Sequence, residues 1–212
     1  MPQTQHSTVL LSTTVLLTTL LAAGCSGESS TRLNPVGPSP MAGQPGSSGG
    51  MAGMGMTIEV KSEFDYLTRM IPHHDEAIVA AKVLQRGTQR QEMRNFAVSI
   101  IETQTAEVKQ MKEWLAAWFP GRDTRVNYDP MMRDLTGLSG AAIDRAFLDD
   151  MIPHHMMAVM MSQQFLMADL ADHDQVVPFA RNIRDTQQNE IQTMAGWLRV
   201  WFGVAPGGHG GG

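Results

Sequence analysis

The sequence predicts an all-α fold, a four-helix bundle made of two duplicated αα-hairpins. Three observations predict it. Over residues 58–203, apolar residues recur three and four positions apart, and few β-branched runs interrupt them. The aromatic complement, 7 Phe, 4 Trp and 2 Tyr in 212 residues, is small for a β-sandwich core. The third observation is that this region repeats itself. Tyr66-Leu67-Thr68-Arg69-Met70-Ile71-Pro72-His73-His74 returns 81 residues later as Phe147-Leu148-Asp149-Asp150-Met151-Ile152-Pro153-His154-His155. Phe96, Ile100, Thr103, Gln104, Glu107, Met111, Trp114 and Trp118 return 83 residues later as Phe179, Ile183, Thr186, Gln187, Glu190, Met194, Trp197 and Trp201. Two hairpins with apolar faces bury those faces best against each other.

The first helix starts well before Pro72, because Glu63, Tyr66 and Met70 already keep the helical period; Asp144, Phe147 and Met151 do the same before Pro153. Each proline could instead open a helix at its first residue. The upstream period favours a continuous, kinked helix in which a backbone carbonyl near the His pair is freed. Gly87 ends the first helix, and Thr88 with Gln91 fits a capping box for the second. Pro120-Gly121 stops the second helix, and residues 120–138 form a connector rich in turn formers. The third helix begins near Ser139, and Asp172 and Asp174 mark the turn into the fourth.

Outside this domain the chain changes character. Residues 1–24 read as an export signal, with an apolar stretch from Val9 to Ala23 that is short for a membrane span. Leu21-Ala22-Ala23-Gly24-Cys25 resembles a bacterial lipobox, which makes Cys25 the lipidated first residue of the mature chain and its membrane anchor. The alternative is an ordinary cleaved signal with an incidental Cys. Both place the protein outside the cytoplasm, and the lipid anchor would place it in the bacterial cell envelope. Residues 25–57 form a Gly/Ser/Pro-rich tether carrying Met41, Met51, Met54 and Met56, either a trap for soft cations or biased composition alone. Residues 204–212 form a Gly-rich tail. A net charge of −5 argues against a nucleic-acid partner. A single Cys excludes an intramolecular disulfide and a Cys-based zinc cluster.

The polar residues on the apolar faces carry the functional signal. At about 100° per residue, Glu107 falls at the centre of the face made by Phe96, Ile100, Thr103, Met111 and Trp114, and Glu190 holds the same place in the fourth helix. A buried lone carboxylate is costly and calls for a partner. The partner is expected on the other helix of each hairpin, where Met70, His73, His74 and Ala77, and again Met151, His154, His155 and Ala158, share one narrow face. Acidic Glu63 and Asp144 sit two turns earlier on the same faces. His, Met and Glu converging from facing helices is how bundle metal sites are built. Di-iron bundles use Glu-x-x-His; here the pattern is Met-x-x-His-His, and a thioether in place of a carboxylate moves preference toward copper or silver. Glu107 and Glu190 are further candidate ligands, or hydrogen-bonded partners of His that fix each hairpin without metal. Met157 and Met161 lie on the His154 side and serve either ligation or packing, whereas Met156 and Met160 face away.

Met-Ile-Pro-His-His on an Ala-rich helix, followed by Glu-x-x-x-Met-x-x-Trp-Leu, resembles the DUF305 family of bacterial extracytoplasmic proteins over residues 58–203. The resemblance implies a ferritin-like fold. Described members include periplasmic or secreted copper-binding proteins linked to copper resistance, whose sites use His and Met. The matching positions are Met70, His73, His74, Met151, His154 and His155. The expected ligand is copper, as Cu(I), Cu(II) or both, with silver or zinc as alternatives. The leading expectation is an envelope-anchored copper-sequestering or copper-handling protein whose binding weakens as imidazoles protonate. The alternatives are a ferritin-like metal oxidase and a metal-free structural or interaction module.

Overall fold

The computed structural model describes residues 59–204; the signal, Cys25, the tether and tail residues 205–212 lie outside the described residues. Among the described residues there are four helices and no strand: α1 Glu63–Gly87, α2 Gln91–Trp118, α3 Gly140–Met167 and α4 Val176–Phe202. Helices α1 and α2 form one hairpin, α3 and α4 the other, and the hairpins pack through α1 and α3. None of these helices is long and apolar enough to cross a membrane.

Both prolines lie inside continuous helices, as the upstream periodicity requires. Proline has no N–H, so the carbonyls of Thr68 and Asp149 lose their usual donors one turn later. Ser62 caps α1, its side-chain oxygen accepting from the Asp65 N–H at 3.1 Å. The capping box expected at Thr88 and Gln91 does not form. Thr88 instead caps the end of α1, its N–H donating to Leu84 O, and its hydroxyl oxygen accepts from Arg90 N. Arg90 is the N-cap of α2 and makes no side-chain cap bond. The turn between the helices is so short that Thr88 is consumed by the helix it follows. Gly203 ends α4 with φ 66°, a left-handed conformation that costs glycine little.

The core divides into two apolar clusters. One holds Tyr66, Leu67, Met70, Met111, Phe165 and Ile183; the other holds Leu84, Met93, Ile100, Phe147, Met151 and Met194. Along both α1 and α3 the His pairs fall between the residues of the two clusters. Recurring residues make recurring contacts between hairpins. Trp114 packs edge-on to Phe179 at 4.9 Å, and Phe96 packs edge-on to Trp197 at 5.2 Å. Trp114 stacks on Trp118 and Trp197 on Trp201, but all four indoles are half-buried rather than core.

The outer Trp of each pair completes a clamp on the other hairpin. Glu63, fully buried, accepts from the His173 ring at 2.6 Å and from the backbone N–H groups of Asp172 and His173. The His173 ring stacks on Trp118 at 3.8 Å. In the second clamp Arg90 Nε lies 3.2 Å from buried Asp144, and its guanidinium sits 4.3 Å from the Trp201 ring centre. This Arg90–Asp144 contact is an ion pair by distance without hydrogen-bond alignment, since neither Asp144 oxygen has a hydrogen-bond partner.

Candidate metal site

The sequence places His73 and His74 on α1 and His154 and His155 on α3, and packing of those two helices brings the four imidazoles to the middle of the bundle. None is more than 1% exposed. The His73 and His154 rings lie 3.8 Å apart and tilted by 31°, while each neighbouring pair on one helix is about 6 Å apart. Met70 and Met151, one turn before each pair, are fully buried as well.

Every one of these imidazoles commits Nε2 to an acceptor. His73 Nε2 donates to the backbone carbonyl of His154 at 2.9 Å. His74 Nε2 donates to Glu107 Oε2 at 2.9 Å, and His155 Nε2 donates to Glu190 Oε2 at 2.8 Å. His154 Nε2 lies 3.1 Å from Glu76 Oε2. A carbonyl or carboxylate oxygen can only accept, so the proton is on Nε2 in each case. All four Nδ1 atoms are buried without a hydrogen-bond partner. A neutral imidazole in this tautomer presents a lone pair at Nδ1, which is what a metal needs. A carboxylate or carbonyl behind the other nitrogen is the usual support of a metal-bound histidine.

Burial holds His73 well below the ordinary imidazole range, and the nearby imidazoles of His154, His74 and His155 add to the effect. Burial likewise lowers His154, against the opposing pull of Glu76. Both are therefore neutral near pH 7, the form a metal binds. Burial by itself would raise Glu76, but bonds from His154, Tyr128 and the Met132 N–H outweigh it and keep the carboxyl below its ordinary value.

Glu107 and Glu190 are thus found against the outer nitrogens of His74 and His155, as the apolar-face position of each carboxylate led one to expect. Glu76, Tyr128 and the connector backbone were not singled out by the sequence. Glu76 accepts from the backbone N–H groups of Met131 and Met132, both at 2.9 Å, and from the Tyr128 hydroxyl. It ties the connector across the mouth of the His cluster. Its one readable signal was its place at Met157 in the repeat, a position where the two halves differ. Gln104 and Gln187, which recur in the repeat but which the sequence does not mark as site residues, are buried at equivalent positions with side-chain atoms lacking partners. Thr103, on the apolar face of the helical wheel, and its counterpart Thr186 are half-buried.

Met157 and Met161 are buried, and with His73 and Met131 they line a cavity of about 160 Å³. Met156 and Met160 are exposed, as their helical positions require. Among the described residues no three His, Cys, Asp or Glu side chains converge as a ready cage for a metal. Carboxylates stand behind the imidazoles instead of beside their free nitrogens, so the remaining donors are imidazole nitrogen and thioether sulfur, a soft set.

This is an all-α bundle whose centre is built from histidine, methionine and carboxylate. Residues 63–198 match the family described as "Domain of unknown function (DUF305)", and the chain belongs to that family. Among solved structures it is similar to CopM in its Ag-bound form, with 30% identity and a TM-score of 0.59 over 67% of this chain and 98% of that one. CopM in its Cu(I)-bound form gives 29% identity and a TM-score of 0.60 over 67% and 99%. A DUF305 fragment from Deinococcus radiodurans gives 30% identity and a TM-score of 0.56 over 64% and 93%. No curated protein matches this sequence.

Proposed function

We propose that this chain is an extracytoplasmic copper-handling protein, held at the cell envelope by a lipid on Cys25, that sequesters copper at the centre of its helical bundle. The ligands in this reading are His73, His74, His154 and His155 through Nδ1, with Met70 and Met151 as the adjoining thioethers. Glu107, Glu190 and Glu76 orient the imidazoles. The observation that carries it is the set of four buried imidazoles, each with Nε2 engaged and Nδ1 without a partner. CopM, similar over the same domain, has Cu(I)-, Cu(II)- and Ag-bound forms, which supports copper and silver as the class of ion. The apolar leader and the lipobox-like Leu21-Ala22-Ala23-Gly24-Cys25 support export and anchoring.

One observation favours a metal-free module instead: among the described residues no three His, Cys, Asp or Glu side chains, the central histidines included, come together as a group that could hold a metal ion. A single experiment separates the readings. The full chain is titrated with Cu(I), Cu(II) and Zn(II), beside a variant with His73, His74, His154 and His155 all changed to Ala. Copper binding that the fourfold change abolishes is the expected result. No binding in the unchanged protein overturns the proposal, and binding that survives the change moves the site to the tether methionines.

A further inference from the structure

A groove of about 660 Å³ lies between the first half of α1, the end of α2 and the start of the connector. Its floor is apolar. Ile71 and Pro72 come from α1, Leu115 from α2, and Phe119 and Val126 from the chain beyond α2; all but Leu115 are half-buried. Its rim is basic. Lys112, Arg122 and Arg125 line it beside the hydroxyl residues Thr68 and Thr124, and no Asp or Glu does. Such a rim stands out in a chain of net charge −5.

The three cations are not equivalent. Lys112 Nζ lies 3.7 Å from Asp75, and Arg125 donates to Asp123 at 2.7 Å, both exposed pairs that hold weakly. Arg122 is paired with no carboxylate among the described residues. Its guanidinium lies over the Phe64 ring, 3.6 Å from the ring centre, and Phe64 packs edge-on to Phe119 at 5.2 Å. Stacking uses the face of the guanidinium and leaves the planar fork of N–H donors at its edge, the part that takes a carboxylate bidentately. The aromatic corner also fixes the group beforehand, so less freedom is lost when it binds.

We propose that this groove binds an organic monoanion: a carboxylate, held by Arg122, on an apolar body that covers Ile71, Pro72, Leu115 and Phe119. The site lies outside the histidine cluster and does not rest on the copper-handling reading. Its volume falls in the range of small-molecule sites, about 300–1,000 Å³. An inorganic anion would leave the apolar floor uncovered, and a neutral apolar molecule would leave the Arg122 fork unused. Two of the three cations are offset by an acid, so one positive charge remains in excess. The carboxyl end of α2 offsets part of that charge, so the groove suits one negative charge and not two.

The test follows octanoate titrated into the 15N-labelled full chain by 1H–15N NMR. The comparison probes are 1-octanol and octylammonium, which keep the body without the negative charge, and acetate, which keeps the head without the body. Octanoate is expected to give saturable shifts gathered at the amides of Thr68, Phe119, Arg122 and Thr124, and each comparison probe to bind at least about tenfold more weakly. Arg122→Gln is expected to weaken octanoate binding by at least about tenfold. Ala116→Trp, which fills the groove from an exposed position of α2, is expected to abolish it. Neither variant is expected to change the amide spectrum away from the groove. The comparison among probes needs no variant, so the proposal stays falsifiable if a variant folds poorly. No saturable shifts in the unchanged protein, 1-octanol binding as tightly as octanoate, or undiminished octanoate binding in Arg122→Gln would each overturn the proposal.

Discussion

His73 donates its Nε2 proton to the carbonyl oxygen of His154 at 2.9 Å, and the two rings stand 3.8 Å apart. The bond fixes the tautomer of His73 and links α1 to α3 at the point where the hairpins meet. It also has no mirror image. His154 turns its own Nε2 to Glu76 and not to the carbonyl of His73. The repeat is symmetric in sequence at these positions, so the asymmetry comes from residue 76 and its counterpart 157.

Removing the carboxylate behind His74 is expected to affect stability and metal together. Glu107→Ala leaves the buried Nε2–H of His74 without an acceptor, at a cost of about 1–3 kcal/mol in chemical denaturation. Copper affinity is expected to fall by roughly 10–100-fold, because the imidazole loses its orientation. Glu107→Gln keeps an acceptor and is expected to recover most of both losses. Equal loss in the Ala and Gln variants would show that the charge, not the hydrogen bond, is what His74 requires.

Stability is expected to depend on pH through His73 and His154. Both have folded values lowered from an ordinary 6.5. A group harder to protonate when folded leaves the unfolded chain binding more protons, so stability rises with pH across that window. The contribution of the two histidines is complete above pH 6.5 and is lost as pH falls below it toward the folded values. Urea midpoints measured from pH 7.5 to 5 should decline, and His73→Gln should flatten the decline. A midpoint that rises on acidification would contradict the neutral assignment.

The clamp between hairpins is expected to be coupled. Arg90→Ala leaves fully buried Asp144 without its cation and is expected to destabilise the fold by roughly 1–3 kcal/mol. Asp144→Asn in the same background should recover part of that loss, because no buried charge then remains. Additive losses in the double-mutant cycle would mean that the two side chains do not interact.

Gly87→Ala is expected to destabilise the protein although alanine is the better helix former. A Cβ at Gly87 would stand 2.7 Å from Ile143 Cδ1 and 3.1 Å from Leu138 O. The end of the Ile143 side chain must shift and the Leu138 carbonyl must give by a few tenths of an ångström, so a loss of about 1–3 kcal/mol in thermal or urea unfolding is expected. A gain in stability would mean that the hairpin turn yields freely.

The helices and the central faces were legible in the sequence because they are periodic and occur twice. Met70, His73 and His74 lie one turn apart on a face whose other members are apolar, and Glu107 stands alone among apolar neighbours on the facing helix. Those patterns survive folding because α1 packs directly on α2. The connector was not legible. Tyr128 and Met131 reach Glu76 across 52 and 55 residues of chain, and no periodicity in residues 120–138 announces that contact. The partners of Glu63 and Asp144 were hidden for the same reason: His173 and Arg90 sit in turns of the opposite hairpin. The capping box at Thr88 does not form because its N–H closes α1 onto Leu84 O, while its hydroxyl accepts from Arg90 N only two residues on, still within the turn.

The central claim is that the four histidines carry their proton on Nε2 and offer Nδ1 to the metal. Long-range 1H–15N NMR of 15N-histidine-labelled full chain reads this directly, because the protonated and unprotonated ring nitrogens resonate far apart. In the metal-free protein His73, His74, His154 and His155 are expected to show the Nε2–H tautomer, and added Ag(I) is expected to shift their Nδ1 resonances and leave Nε2 protonated. Nδ1–H tautomers in the free protein, or Ag(I) shifts confined to Nε2 or absent from all four residues, would contradict the account.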